Sequence, residues 1–540
     1  MSPGTPGVGA DSRRLNRATG AMAVGTAISR VTGVLRIFAL AYALGFTSLS
    51  DAYNLANTMP NIVHDLVIGG VLAATFVPVF VERLVQRSEE EAWEAISAVV
   101  SVALVLLAVT SIVFLAAAPF IVDLTTVLVH GTQARLQRSV ATELLRLFVP
   151  QLAAYGFISI ATALLNATRK FAAPAFAPIA NNLVLITLLV SFGTVVKHPT
   201  LASIQAHQGE LLVLGMGTTI GVVVQGLLLV PSLRRAGIQL RWHLAPRHEA
   251  VLTVLRLSGW TLGFVAANQA ALVVVLALSE RAGPGALTSY TYAYTVFQLP
   301  FGVIAISVMA TVTPELARHW ATRDLDAFRY RLRGGLRAVM AVVLPAAAGE
   351  VVLARPLVAM LFGHGAGSFA TTAQSAGALG MLAIGLPGFC AFLYAIRVLQ
   401  AVQDTRSAFW LYALENGLNV AGALLLAGPL GLRGIALSIS VAYSLAAVAA
   451  FVHLSRRFDH LGMAQEIRSV RRVVLSTIAL IAGAALASNA LSSNSSFGVA
   501  ARVVLGAAGG GAAYLAVAGA GAAWALRTSG GQGTRPPPRA

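Results

Sequence analysis

The sequence predicts an all-α integral membrane protein with fourteen transmembrane helices, and three observations support that prediction. Of its 540 residues, 57% are hydrophobic and only 11% are charged. The mean hydropathy is +0.77. The apolar residues come in runs of about twenty, the length that crosses a hydrocarbon layer of roughly 30 Å. A soluble core of this size could not bury so much apolar surface, so lipid is the solvent for most of the chain.

The apolar runs and the polar breaks between them place the spans in order. They lie near residues 21–46, 52–81, 92–118, 140–167, 174–196, 211–233, 251–280, 286–317, 335–361, 370–402, 407–427, 432–455, 470–489 and 498–526. The spans group into a first lobe at 21–234, a second lobe at 251–457 and two C-terminal helices at 470–526. Residues 1–20 are predicted to form a cytoplasmic tail, and residues 527–540 a disordered, proline-rich cytoplasmic tail.

The distribution of basic residues orients these spans. With the N-terminus inside, 26 Lys and Arg residues fall in cytoplasmic segments and five fall outside. The outer five are Arg135, Arg138, Lys197, Arg281 and Arg433. This imbalance predicts that both termini are cytoplasmic. The net charge of +17 comes from short clusters that suit the anionic inner leaflet, and no basic domain suggests binding to nucleic acid.

Three short motifs recur along the chain at a nearly constant offset. The two copies of each motif lie 236 or 237 residues apart, at the ends of predicted helices. The matched pairs are Pro78 with Pro314, Pro119 with Pro356, and Arg169 with Arg406. Six helices separate the copies, and an even number preserves orientation. We therefore predict two parallel, pseudo-symmetric six-helix lobes related by an axis along the membrane normal, an architecture typical of carriers.

Two arginines lie near the middle of the first span. Arg30 and Arg36 flank Gly33, and a charge at that depth costs about 2.5 to 3.5 kcal/mol on insertion scales. A guanidinium group matches phosphate oxygens in a bidentate way, so the pair predicts an anion site, with Ser29 beside it as a hydroxyl donor. The alternative is that each arginine pairs with an acidic neighbour such as Asp51 or Asp65 and only holds helices together.

Two further polar clusters interrupt predicted spans. His64 and Asp65 lie near the middle of the second span, where they suit a proton-sensitive switch, a phosphate contact or a packed polar pair. Glu415, Asn416 and Asn419 lie in the eleventh span, and the first and last share a helix face. Oxygen ligands one turn apart suit Na⁺ or a proton, although a polar contact between helices is the commoner explanation.

Sequence signatures of catalysis are missing from the chain. It contains no Walker-type phosphate loop, no zinc-spaced His and Cys set and no nucleophile elbow. We therefore expect neither an enzyme nor a bound cofactor or firm metal site. The energy source for transport stays open between the membrane potential and a coupling ion, Na⁺ or H⁺.

Several motifs occur together in one order. Ser-Arg-Val-Thr-Gly-Val-Leu-Arg at 29–36 is followed by Asp-Ala-Tyr at 51–53, Met-Pro-Asn at 59–61, Phe-Val-Pro-Val-Phe at 76–80, Phe-Gly-His-Gly at 362–365 and Gln-Asp-Thr-Arg at 403–406. Over residues 20–525 this set resembles the MurJ (MviN) family of the multidrug/oligosaccharidyl-lipid/polysaccharide exporter superfamily. Where many members have an arginine after the Pro-Asn of the second helix, this chain has His64.

The resemblance implies a fourteen-helix, alternating-access flippase in the bacterial plasma membrane. Its cargo would be lipid II or a similar polyprenyl-diphosphate lipid, with the diphosphate in a cationic cavity of the first lobe. The polyprenyl tail would lie in a groove of the last two helices. By position, Arg30 and Arg36 would bind the substrate, and Ser29 and Asp51 would support them.

Two other functions remain open at this stage. One is export of another polysaccharide lipid or of a drug, although a cationic drug would want carboxylates where the first span offers arginines. The other is a scaffold for cell-wall synthesis that transports nothing, which would tolerate changes in the buried charges. Membrane lipids, and proteins of cell-wall synthesis, are the partners expected in either case.

Overall fold

The computed structural model describes residues 8–66, 89–168, 170–366, 371–458, 463–490 and 495–530. In these ranges the chain forms α-helices joined by short loops and contains no strand. The helices are α1 (Val8–Leu44), α2 (Ser48–His64), α3 (Glu89–Thr125), α4 (Thr132–Ala167), α5 (Ala172–Val195), α6 (Leu201–Ala206), α7 (Gln208–Leu227), α8 (Val230–Arg235), α9 (Glu249–Arg281), α10 (Ala286–Pro300), α11 (Ile306–Ala321), α12 (Leu325–Phe362), α13 (Thr372–Ala401), α14 (Thr405–Leu430), α15 (Leu432–Arg457), α16 (Met463–Asn489) and α17 (Ser496–Gly530).

The chain divides into two compact units, and the first runs to Thr288 and also includes residues 364–366. In this unit α1 packs along α5, and α4 contacts α2, α3 and α7. Small residues allow the close approach, since a Cβ on Gly193 of α5 would lie 3.0 Å from the Cα of Ala43. A buried cluster that includes Ile96, Leu152 and Val254 joins α3, α4 and α9.

The second unit begins at Ser289 and contains most of α10 and all of α11–α17. Here α13 packs against α12 and α15, and α16 packs against α17. Glycines again lie at the contacts: a Cβ on Gly388 would lie 2.7 Å from the Cα of Ser444, and one on Gly483 would lie 2.7 Å from the carbonyl oxygen of Gly509. Because lipid tails are as apolar as leucine, such van der Waals packing holds membrane helices together.

Each predicted span overlaps a helix in the described ranges, but only eleven helices there are long and apolar enough to cross a membrane. The span predicted at 52–81 is described only to 66; in that part α2 ends at His64 and the next two residues are π-helical. The span at 286–317 is interrupted after Pro300 by a π-helical turn, Phe301–Ala305. The apolar part of the span at 470–489 is the shorter segment Val473–Asn489. The count of fourteen spans therefore stays a prediction.

The first helix is longer than the predicted span. It begins at Val8, inside the segment 1–20 that was predicted to be a tail, because Ala, Arg and Leu in this segment favour helix. At the other end α17 continues to Gly530, four residues into the predicted tail at 527–540.

The helices α3 and α12 carry the second pair of repeated motifs. Each continues for six residues past its proline, Pro119 in α3 and Pro356 in α12. Each is followed by a glycine in the left-handed region, with φ of 103° at Gly131 and 69° at Gly365, a conformation that suits glycine. Pro78 and Arg169, from the other two pairs, lie outside the described residues.

Candidate functional site

The segment of α1 around Arg30 is joined to α5 by one asparagine. The side-chain nitrogen of Asn182 donates to the carbonyl oxygen of Ser29 at 3.1 Å and to Oγ1 of Thr32 at 3.0 Å. The Thr32 hydroxyl in turn donates to the carbonyl of Ile28 at 2.9 Å. Asn182 therefore positions the backbone next to Arg30, as expected of a hydrogen bond between helices. Ser29 takes part through its carbonyl group.

Arg30 and Arg36 of α1 have no carboxylate partner in the part of the chain that the structure describes. Arg30 is exposed and Arg36 is half-buried. Among the described residues neither guanidinium forms an ion pair. The charge of Arg36 acts on the phenol groups of Tyr53 and Tyr155. The Tyr53 hydroxyl also hydrogen-bonds Oγ1 of Thr218 at 2.8 Å. Within the described residues, no carboxylate therefore competes with an anion for either guanidinium group.

Asp51, one of the predicted partners of these arginines, instead binds the start of α10. Its carboxylate accepts from the backbone N–H of Gly285 at 2.6 Å and from the N–H and hydroxyl of Thr288 at 2.8 and 2.7 Å. The first N–H groups of a helix have no partner within the helix. The buried carboxylate of Asp51 satisfies one such group, the N–H of Thr288, and also the N–H of Gly285 just before the helix. Its supporting role would therefore be exerted through the backbone.

Glu280 lies close to Asp51, and sequence reasoning missed it. Its Oε2 accepts from Nε2 of Gln137 at 2.7 Å, while its other oxygen is buried without a hydrogen-bond partner among the described residues. The two carboxylates interact electrostatically. In the sequence Glu280 stands next to Arg281 at the end of an apolar run, which is typical of a surface ion pair. Nothing in that pattern indicates burial.

His64 and Asp65 form the middle of a polar chain that joins three helices. Nε2 of His64 lies 2.8 Å from Oγ of Ser159 on α4, and Nδ1 lies 3.2 Å from Oδ1 of Asp65. The other oxygen of Asp65 accepts from Nε2 of Gln269 on α9 at 3.2 Å. In this structure His64 and Asp65 are thus a packed polar pair with partners on two other helices.

Tyr155 connects this chain to Arg36. Its ring centroid lies 5.7 Å from that of His64, and its hydroxyl hydrogen-bonds the side chain of Asn61. Arg36, Tyr155, His64 and Asp65 thus follow one another across the first unit. The sequence did not indicate Tyr155, since a tyrosine in an apolar run is usually part of the helix packing.

The predicted cation ligands lie together in the second unit. Glu415, Asn416 and Asn419 are all buried. Asn419 accepts through Oδ1 from the Ser438 hydroxyl at 3.0 Å, and Asn416 donates to the carbonyl of Tyr412 at 2.9 Å. The Oε2 atom of Glu415 is buried with no hydrogen-bond partner in the part of the chain that the structure describes. This free oxygen is available to a proton or a small cation.

Comparisons with known proteins place the chain in a family. A family model described as "Lipid II flippase MurJ" matches residues 40–505. A Burkholderia cenocepacia protein named "Lipid II flippase MurJ" is 26% identical over 439 residues, which are 80% of this chain and 82% of the relative. A Synechocystis protein named "Probable lipid II flippase MurJ" is 28% identical over 493 residues, 89% of both chains.

Solved structures share the fold. The structure "Lipid II flippase MurJ, inward closed conformation" aligns with a TM-score of 0.75 at 20% identity and covers 92% of this chain and 97% of that one. An inward-facing multidrug resistance MATE family transporter of the MOP superfamily aligns with a TM-score of 0.66 at 16% identity, covering 81% and 99%. With its multiple membrane helices and a family model that spans most of its length, the chain belongs to the lipid II flippase MurJ family.

Proposed function

We propose that this protein carries lipid II, a polyprenyl-diphosphate-linked disaccharide-peptide, from the inner to the outer leaflet of the bacterial plasma membrane by alternating access. The observation that supports this most is the match of the MurJ family model to residues 40–505. The relatives from Burkholderia cenocepacia and Synechocystis carry the same flippase name. The chemistry that the cargo requires is present in α1.

Arg30 and Arg36 are the groups that we expect to hold the diphosphate. A diphosphate must leave water to cross the membrane, and guanidinium groups replace its hydration with charge-assisted hydrogen bonds. Such bonds are strong where the dielectric constant is low. Within the described residues, the two arginines form no ion pair that would compete with the diphosphate. Asn182 would fix the backbone carbonyl beside Arg30, and His64 and Asp65 would extend the polar surface from Arg36 through Tyr155.

The proposed transport cycle uses fourteen spans with both termini in the cytoplasm. Two six-helix lobes at 21–234 and 251–457 would alternate between inward-open and outward-open states, and the helices at 470–526 would accommodate the polyprenyl tail. The equal extension of α3 and α12 past their prolines supports the duplication. The excess of basic residues in the inner segments supports the orientation.

The proposed energy source is an ion that binds at Glu415 with Asn416 and Asn419. These side chains offer buried oxygen atoms within one turn of α14, and Glu415 Oε2 has no hydrogen-bond partner among the described residues. A hard cation such as Na⁺ takes oxygen ligands of this kind, and a proton would neutralise the buried carboxylate.

Replacement of each arginine in a strain that depends on this protein tests the proposal. We expect Arg30→Ala and Arg36→Ala to abolish growth at normal membrane levels of the protein, with lipid II accumulating in the inner leaflet. Arg135→Ala removes an exposed arginine from the first turn of α4 and should support normal growth. Normal growth of both α1 variants would remove these arginines from the mechanism. If the amount of lipid II in the inner leaflet stays normal when this protein is depleted, the flippase function is rejected.

A further inference from the structure

Three arginines from separate helices line one cavity in the second unit. The cavity has a volume of about 440 Å³ and lies where α12, α13, α15, α16 and α17 meet. The three basic side chains are Arg355 of α12, Arg433 of α15 and Arg502 of α17. A volume of this size is within the range of roughly 300–1,000 Å³ that small-molecule sites occupy. In the sequence Arg355 and Arg502 lie near span ends and far apart, so only the fold reveals that they converge.

The charges of these arginines have no carboxylate partner among the described residues. The ion pairs among the described residues of this unit involve Glu315, Asp324, Asp326 and Asp404, and none includes one of the three arginines. Arg502 donates from Nε to the carbonyl of Ser488 at 3.1 Å, which fixes the guanidinium group and leaves its terminal nitrogens as donors. Three positive charges around one cavity repel each other unless an anion joins them.

The position of Arg433 depends on a glycine. A Cβ on Gly377 of α13 would lie 2.5 Å from Nε of Arg433 and 3.3 Å from both Cζ and Nη2. The guanidinium group therefore lies directly against the α13 backbone, and any side chain at position 377 would displace it. This contact gives a way to move the charge without removing it.

The cavity also has an apolar side. Val351, which is 40% exposed, and Met381 line it. Leu486 of α16 and Phe497 of α17 are not part of the lining, but they lie on helices that contribute Ser488 and Arg502 to it and are 75% and 86% exposed. Such exposed apolar side chains on transmembrane helices are suited to lipid chains. The cavity lies toward the C-terminal ends of α12 and α16 and the N-terminal ends of α13, α15 and α17, and under the proposed orientation these ends face the outer leaflet.

We propose that this cavity binds the phosphate group of an anionic lipid in the outer leaflet. Three guanidinium groups provide bidentate donors for phosphate oxygens, and the exposed apolar side chains provide the surface for the acyl or prenyl chain. The phosphate could come from a resident phospholipid or from a polyprenyl diphosphate on its way out. Both ligands present the same chemistry to the arginines.

The proposal is tested by measuring lipid binding to the purified full-length chain in neutral detergent with native mass spectrometry. Phosphatidylglycerol and undecaprenyl diphosphate are titrated separately. For at least one of them we expect Arg433→Gln/Arg502→Gln to weaken binding by about tenfold or more, the loss of one or two charge-assisted contacts. We expect Gly377→Ala to weaken binding of the same lipid by a smaller factor. The lipid whose binding is weakened identifies the source of the phosphate.

Two matched controls and one competitor make the outcome decisive. Arg281→Gln removes an exposed arginine outside the cavity, and Gly417→Ala adds a Cβ where nothing lies within 4 Å; both should bind lipid as the wild type does. The proposal would be overturned if the double variant bound each of the two lipids as tightly as the wild type does. Displacement of bound lipid by millimolar inorganic phosphate alone would overturn the lipid assignment in favour of a soluble anion. Because binding is read directly, a failure here is distinct from a failure of the transport proposal.

Discussion

The carboxylate of Asp51 accepts three hydrogen bonds from the first turn of α10 and its preceding loop. Its removal would leave the N–H groups of Gly285 and Thr288 buried without a partner. Helix caps are worth about 1 kcal/mol each, and a buried unsatisfied group costs about 1 to 3 kcal/mol. The stabilising contribution of Asp51 should therefore exceed that of any surface carboxylate in the chain.

We expect Asp51→Ala to lower the free energy of unfolding by roughly 2 to 4 kcal/mol. Thermal melting of the purified protein in detergent measures the change. Asp123→Ala is the control, because its side chain is 64% exposed and lies 3.8 Å from Arg138; a surface pair of this kind is worth about 0 to 1 kcal/mol. Equal melting temperatures of the two variants would show that the hydrogen bonds to α10 contribute little.

Glu415 makes a separate prediction about coupling. We expect Glu415→Gln to remove the dependence of lipid II flipping on an imposed Na⁺ or H⁺ gradient, because the amide can neither carry the charge nor release the proton. Flipping in proteoliposomes with and without each gradient measures this effect.

A second buried glutamate in the same unit serves as the control. Glu350 also has an oxygen without a hydrogen-bond partner in the described residues, but no asparagine accompanies it within one turn of α12. Glu350→Gln should retain the gradient dependence of the wild type. If Glu415→Gln retains it too, the coupling ion binds elsewhere.

The sequence identified the charged residues but not their partners. Arg30 and Arg36 are conspicuous because a charge in the middle of an apolar run is costly. The partners of Asp51 lie 234 and 237 residues away. No local pattern encodes a contact over such a separation, and the same limit explains why Glu280 and Tyr155 were missed.

At the scale of helices, α13 depends on glycine for its contact with α15. A Cβ on Gly385 would fall against the Cα and side chain of Ser440, and one on Gly388 would meet Ser444 in the same way. The hydroxyl of Ser440 also donates to the carbonyl of Met381 at 2.6 Å. Close backbone approach and this hydrogen bond stabilise the pair together.

We expect Gly385→Ala to destabilise the protein by about 1 to 3 kcal/mol, because the added methyl group forces the two helices apart. Gly380→Ala, on the same helix, adds a Cβ with nothing within 4 Å and should be neutral or slightly stabilising. Melting temperatures of the two variants make the comparison. A Gly385→Ala variant as stable as Gly380→Ala would show that the contact is loose.

Helix positions followed from hydropathy, whereas interruptions within helices did not. Each apolar run in the described ranges became a helix, since backbone groups in lipid must be satisfied within the segment. The π-helical turn after Pro300 and the short helix α6 depend on local hydrogen bonding that hydropathy does not report. The first helix begins before the predicted span for a similar reason, because helix propensity continues where apolar character ends.

For the whole molecule, the orientation in the membrane can be tested through the single cysteine, Cys390, which is buried. In a Cys390→Ala background, we expect Arg281→Cys to react with a membrane-impermeant maleimide in intact cells. Ala321→Cys, at the end of α11, should react only after permeabilisation. Both positions are exposed. Labelling of Ala321→Cys in intact cells would reverse the proposed orientation, and the parent without cysteine controls for background.

The turn Phe301–Ala305 has a consequence for insertions and deletions. A π-helical turn contains one residue more than the α-helical turn it replaces. Loss of one residue here would restore a regular α-helix. Residues 289–300 and α11 would still present the same side chains to the same neighbours. The same loss within an uninterrupted helix rotates everything beyond it by about 100°. Relatives that differ in length by one residue can therefore accommodate the difference at this turn at little cost to the rest of the second unit.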